Sequence, residues 1–316
     1  MKISGFSFVR NGIKLYYPVV ETIKSILPLV DEFVIAVGKG DKDDTSRKKI
    51  EEIYSPKIRI IDTVWDIEKF PRGMEHAHQT DIAKNACIGD WLFYLQGDEV
   101  IHEKDLSIIH NRCEQLLNKS EVEGMLFKYL HFWGDYEHYH KSHGWYPYEI
   151  RIIRNDPDIH SWESAQSFRR IPHFDGVHYR QQENTYKLKV ALIDAYVYHY
   201  GWVRPPHLMQ NKRRYFHTNH WGSKRAKEHY DKLDEYFDYG PLDQIEVFQG
   251  THPAVMEQKL SEFDWQEKLQ FSGKPNTLRE KYKHEKLRNK ILTWFENHLN
   301  KGNQIGYFKN FILLDV

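Results

Sequence analysis

The stretch Gly89-Asp90-Trp91-Leu92-Phe93-Tyr94-Leu95-Gln96-Gly97-Asp98-Glu99-Val100 is an apolar run that stops at a glycine followed by two adjacent carboxylates. Leu92 to Leu95 read as a buried strand, which delivers Asp98 and Glu99 to the carboxyl edge of a sheet, where open α/β sheets bind their ligands. Hard oxygen donors at such an edge suit Mg²⁺ or Mn²⁺, and a divalent ion held there can grip the phosphates of a nucleotide.

The chain around this motif alternates strand and helix signals through its first hundred residues, the pattern of a parallel sheet covered by helices. Ser4 to Val9 reads as the first strand, and Val19, Val20, Ile23, Ile26 and Leu27 recur at helical spacing until Pro28 ends the run. Phe33 to Val37 and Ile58 to Ile61 are further strands, separated by a polar segment and a helix carrying Ile50 and Ile53. A small-residue helix through Ala77, Ala83 and Ala86 leads into the opening motif, and Asp105 to Leu117 forms the next helix.

From residue 124 strands alternate with aromatic, histidine-rich loops, which predicts an antiparallel extension built on 124–130, 149–154 and 195–200. Beyond Pro205-Pro206 three charged helices are expected, over roughly 208–236, 253–270 and 276–300, the last with an apolar stripe of Leu287, Ile291, Phe295 and Leu299. No Gly/Ser-rich linker separates this tail, so it is expected to pack on the sheet. The expected division is a domain over 1–206, with halves 1–103 and 104–206, and a helical extension over 207–316.

At 316 residues and 40% hydrophobic content the chain can bury a large core. Its 45 basic and 45 acidic residues cancel, so no global field argues for nucleic acid. Two cysteines, Cys87 and Cys113, give no disulfide framework and point to a reducing compartment, with the cytoplasm as the default. Met1 to Phe6 enters a strand directly, no later apolar run reaches spanning length, and neither an export signal nor a membrane helix is expected. The C-terminal basic helix, with Lys286, Arg288 and Lys290 beside Trp294 and Phe295, has the make-up of a surface that rests on the inner face of a membrane, although a solvated helix face has the same pattern.

Four segments in order resemble the family 2 glycosyltransferases, nucleotide-sugar enzymes of the GT-A fold. They are Phe8-Val9-Arg10-Asn11 at the first strand end; Val37 to Thr45, where Gly40, Asp43 and Thr45 match; Ala83 to Ala86 running through Gly89 to Leu95; and Gln96-Gly97-Asp98-Glu99, similar to the D-x-D metal signature. Two departures stand out. Gly38 and Lys39 replace an acidic pair after the second strand, and Gln96 replaces the first acid of D-x-D.

The resemblance implies a GT-A-like, Rossmann-type mixed sheet flanked by helices with a helical C-terminal extension. It further implies an inverting, Mn²⁺- or Mg²⁺-dependent transfer, of the kind found in polysaccharide biosynthesis, from a nucleotide-diphosphate sugar to a glycan, lipid-linked or glycoconjugate acceptor. On this reading Asp98, Glu99 and His199 hold the metal. Val9, Arg10, Asn11, Gly38, Asp41, Asp43, Gln96 and Gly97 form the nucleotide pocket, with Arg72, Lys84 and Arg204 as cationic contacts to the diphosphate. An inverting step also needs a carboxylate to deprotonate the acceptor, for which Glu163 is the first candidate and Asp175 the second.

The run from His131 to Tyr146 carries Trp133, Trp145 and Tyr146, whose faces can stack on an acceptor sugar. His138, His140 and His143 offer a competing zinc reading without the i, i+4 helical pairing of a metallohydrolase. Two other functions share the fold class: a nucleotidyltransferase, whose Gly-rich phosphate loop is missing after Arg10-Asn11-Gly12, and a non-catalytic glycan-binding protein.

Overall fold

The computed structural model describes residues 1–316. Its first four strands, β1 (Ile3–Val9), β2 (Glu32–Gly38), β3 (Ile58–Thr63) and β4 (Trp91–Tyr94), run parallel in the order β3-β2-β1-β4. The crossovers between them carry α1 (Val19–Ile26), α2 (Ser46–Glu51) and α3 (Met74–Asn85). Residues 33–37 of β2 and all of β4 are buried, as continuous apolar runs require when helices cover both faces of a sheet. Ile23, Ile26 and Ile50 of α1 and α2 pack one face against Phe33 and Phe93, while Ala83 and Cys87 on the α3 side pack the other against Phe6 and Tyr94.

After β4 come β5 (Glu99–Ile101), α4 (Leu106–Leu116), β6 (Gly124–Trp133), β7 (His138–His140), β8 (Tyr148–Arg154), β9 (Ile159–Trp162), β10 (Ser167–Arg170) and the long β11 (Tyr186–Trp202). They extend the sheet in the order β4-β8-β6-β11-β10-β9. The expected antiparallel extension holds for β4-β8 and β8-β6, but β6 and β11 run parallel, from Gly124 opposite Val190 to Trp133 opposite Trp202. The strands and loop between them turn the chain round before it re-enters beside β6. A register shift between His199 and Trp202 on β11 re-aims the strand end, a common use of a bulge beside a functional site.

The later residues depart further from the expected three helices. The first is broken into α5 (Pro206–Trp221) and α6 (Ser223–Tyr230) at Gly222, whose φ of +85° a helix cannot hold. Across 253–270 only the five-residue α7 (Glu257–Ser261) and isolated 3₁₀ turns form. That segment is fixed by anchors rather than by helical periodicity: Trp265 is buried and its Nε1 donates to the Gly134 carbonyl at 2.8 Å.

The last helix, α8 (Leu287–Leu299), turns its apolar stripe outward, with Leu287 74% and Leu299 63% exposed, so the stripe does not pack on the sheet. A polar anchor holds it instead: buried Glu296 accepts from His143 Nδ1 and from the Ile305 amide, both at 2.8 Å. Two short strands, β12 (Glu246–Val247) on β7 and β13 (Phe311–Leu314) parallel to β11, also belong to this region. No helix is long and apolar enough to cross a membrane, and both cysteines are free and buried.

Candidate active site

In the order β3-β2-β1-β4 the chain winds outward from β1 to β3 and then returns to the other side of β1. The crevice at the carboxyl ends of β1 and β4 is therefore a topological switch point. A cleft of about 510 Å³ opens there. Val9 and Arg10 reach it from the end of β1, and Gln96, Gly97 and Asp98 from the end of β4. Lys212, Tyr215, Phe216 and Asn219 of α5, spaced i, i+3, i+4, i+7, close it from one side, and Trp133, Trp145, Tyr146 and His284 from another.

Asp98 is the one carboxylate lining the cleft. Its Oδ2 lies 3.3 Å from Lys212 Nζ and 3.8 Å from His199 Nε2. Burial alone would raise its pKa, but Lys212, His199 and Arg204 outweigh that and hold it below the ordinary carboxylate range. Burial, helped by the like charge of Arg204, pushes Lys212 down to about 7 even with Asp98 opposing, and burial takes His199 down to about 4. Lys212 also donates to the Gly201 carbonyl at 2.6 Å. Gly201 is needed for want of space: a Cβ there would sit 2.4 Å from His199 Nε2 and 2.7 Å from Asp98 Oδ2.

Glu99 departs from its expected role. It is wholly enclosed and accepts from Arg151 Nε and Nη2 at 2.8 and 2.7 Å, Tyr129 Oη at 2.8 Å and the Gln96 amide at 3.0 Å. Those four bonds leave no lone pair for a metal. Gln96 lines the cleft, yet its amide nitrogen donates to the Ala165 carbonyl at 2.8 Å. No three His, Cys, Asp or Glu side chains converge to hold a metal by themselves. Asp98 and His199 remain, a hard carboxylate and an imidazole facing one space kept clear by Gly201. This pair fits a divalent ion whose other ligands are phosphate oxygens and water, and the imidazole favours Mn²⁺.

At the β1 end Arg10 stacks over Trp65 at 5.3 Å and Tyr215 at 5.8 Å, and its Nε donates to the Lys39 carbonyl at 3.0 Å. Asn11 lies behind the cleft, where its Oδ1 accepts from the Asp41 amide at 2.8 Å. Gly38 abuts Trp65, whose Nε1 would be 2.3 Å from any Cβ. Asp41 and Asp43 both pair with Lys14 at 2.7 Å and do not line the cleft.

Lys84 is buried elsewhere, donating to the Asp156 carbonyl at 3.3 Å, and Arg72 is exposed and outside the cleft. Arg204 is fully buried, stacked 4.5 Å from the Tyr17 ring and donating to the Leu15 carbonyl at 2.8 Å. Its Nε and Nη2 have no partner.

Trp133, Trp145 and Tyr146 all line the cleft. The expected bases do not. Glu163, at φ +58°, stands 3.9 Å from Arg180, and Asp175 caps the backbone amides of Val177 and His178 at 2.8 Å in an exposed turn. The zinc reading also fails, because His138 binds Asp135, His140 binds Ser142 Oγ and His143 binds Glu296.

Sequence reasoning missed Lys212, Trp65 and Tyr215. Nothing distinguishes Lys212 within Gln210-Asn211-Lys212-Arg213-Arg214, although its helical register with Tyr215, Phe216 and Asn219 was available to be read.

No protein-family model and no curated protein matches the chain. Among solved structures it is similar to S. aureus TarS residues 1–349, with 17% identity, 69% of this chain and 65% of that chain covered, and a TM-score of 0.36. For S. aureus TarS the figures are 16%, 68%, 39% and 0.38. Glucosyl-3-phosphoglycerate synthase from Mycobacterium tuberculosis, in complex with Mn²⁺, uridine diphosphate and phosphoglyceric acid, gives 17%, 40%, 42% and 0.28. The chain thus spans just under two thirds of the length of the first of these. Likenesses of this size decide nothing about its chemistry, which rests on its own residues.

Proposed function

We propose that the protein is a glycosyltransferase of GT-A type that moves a sugar from a nucleotide-diphosphate donor to a glycan or glycoconjugate acceptor. The observation that carries this reading is the cluster of Asp98, His199 and Lys212 at the switch-point crevice, faced by an aromatic wall. Breaking the anomeric C–O bond leaves negative charge on the departing diphosphate, and preorganised cations in a desolvated cleft stabilise developing charge most strongly.

Lys212, poised near neutrality by burial and by Arg204, would be held protonated by an arriving diphosphate and so become such a cation. Asp98 and His199 would hold a Mn²⁺ or Mg²⁺ ion, which when bound supplies Lewis-acid neutralisation of the diphosphate. Val9, Arg10, Gln96 and Gly97 supply the donor end, with Trp65 and Tyr215 beside Arg10 as flat surfaces for a base. Trp133 and Trp145 offer sugar-stacking faces for the acceptor. Because Glu163 and Asp175 lie outside the cleft, the proposal covers the transfer itself and not the inverting course implied by the resemblance.

A calorimetric screen of UDP, GDP, CDP and dTDP, each with and without Mn²⁺, tests the reading. One nucleotide should bind well above the others, and its sugar conjugate should be hydrolysed or transferred slowly. Binding of glycan with no nucleotide affinity at all would replace the transferase by a lectin-like protein.

A further inference from the structure

Beside the cleft a chain of hydrogen bonds runs from a backbone carbonyl to His199 through a histidine that does not itself line the cleft. His131 Nε2 lies 2.8 Å from the Tyr146 carbonyl oxygen, and His131 Nδ1 lies 2.9 Å from His199 Nδ1. Both imidazoles are buried, with ring planes nearly perpendicular at 84°. A carbonyl oxygen only accepts, so the hydrogen of His131 sits on Nε2. A neutral His131 then offers a lone pair at Nδ1, and His199 must donate its Nδ1–H to it. A doubly protonated His131 would reverse this order, but no carboxylate accepts from either of its nitrogens, and burial disfavours the charged ring.

We propose that His131 is a positioning residue, which fixes His199 as the Nδ1–H tautomer and so turns the Nε2 lone pair toward Asp98 Oδ2, 3.8 Å away. A lone pair and a carboxylate facing each other repel until a cation stands between or beside them. The chain supplies one itself in Lys212, 3.3 Å from the same oxygen, and Gly201 keeps the remaining space open. The arrangement is that of a metal-ligating histidine whose second nitrogen is held by an outer partner, with an imidazole and then a carbonyl in the place often taken by a carboxylate. The use of the seat for a divalent ion rests on the proposed function; the tautomer does not.

Two measurements test the inference. Nitrogen-15 NMR of histidine-labelled protein, with His199 assigned through His199→Gln, should show its Nδ1 protonated and its Nε2 bare. An Nε2–H tautomer overturns the proposal. Mn²⁺ titrations followed by electron paramagnetic resonance, alone and with UDP, should give an affinity about 10- to 100-fold weaker in His131→Leu. His131→Gln, whose amide oxygen can accept from His199 Nδ1, should recover most of that loss.

Equal Mn²⁺ affinity in all three proteins, each shown folded by circular dichroism, also overturns it. Should wild-type protein bind no Mn²⁺ while His199 shows the expected tautomer, the metal-dependent transferase reading fails and the positioning role of His131 stands.

Discussion

At the end of β4 the chain sets one carboxylate, Asp98, against an open cleft and the next, Glu99, inside a closed cage of Arg151, Tyr129 and the Gln96 amide. On the cleft side Lys212, though bonded to Asp98 and the Gly201 carbonyl, is close to losing its proton at neutral pH, and buried Arg204 nearby leaves the nitrogens Nε and Nη2 without partners. The interior side leaves nothing unpaired around Glu99. Adjacent residues of the same charge therefore have different surroundings, Asp98 facing an open cleft and Glu99 tying its strand to β6 and β8. What separates them is whether the donors around the carboxylate are complete.

Substitutions can break this contrast. Asp98→Ala should lower transfer by about 100- to 1,000-fold, the loss typical of removing one preorganised charge-stabilising group. Its melting temperature should barely change, since Lys212 can shed its proton once unpaired; undiminished turnover would remove Asp98 from the site. Glu99→Ala should do the reverse, costing about 3–5 kcal/mol in a urea melt by stranding the Arg151 guanidinium in the core. A variant as stable as wild type would show that the cage is incidental.

Lys212→Met sharpens the cleft side. Calorimetry should find nucleoside diphosphate binding about 10- to 100-fold weaker, the worth of one charge-assisted hydrogen bond. An unchanged affinity would move the diphosphate away from α5.

Glu149 extends the comparison to a group in an intermediate state. Burial raises its pKa from 4.5 to about 7 in spite of Arg151. A carboxyl raised on folding stabilises fully below its unfolded pKa, and that contribution is lost as pH rises through the folded value. The Glu149 contribution should thus fall between pH 4.5 and 7, so Glu149→Gln should gain stability relative to wild type between melts taken at pH 5 and pH 8. The smallest effect belongs to Glu163→Gln and Asp175→Asn, each expected to change kcat less than about twofold because neither side chain reaches the cleft. A large loss in either would mean that its loop moves in on substrate.

The first hundred residues were legible because each strand there is a compact apolar run bounded by turn residues, and a parallel sheet needs little beyond that order to fix where its ligand edge lies. The position of Asp98 at that edge could be read for the same reason. Glu99 was misread because its partners, Tyr129 and Arg151, stand 30 and 52 residues away, and no local pattern announces such a pairing. The parallel run of β6 beside β11 was hidden because a strand's direction depends on the path between strands rather than on its own residues. In 253–270 charge and mixed periodicity imitated a helix, whereas buried Trp265 and Met256 decided the conformation.

The walls of the cleft come from residues as far apart as Val9 and His284, with Asp98 and Lys212 between them. Contacts of such long sequence separation are slow to form, because the entropy of closing the intervening loops must be met before any of them stabilises the fold. At synthesis rates of about 5–20 residues per second the strand ends holding Asp98 leave the ribosome many seconds before the segment carrying His284 exists. Until residues 124–154 follow, β4 lacks its pairing with β8, and until α5 and the segment with His284 follow, the crevice has a floor of strand ends but no opposing walls.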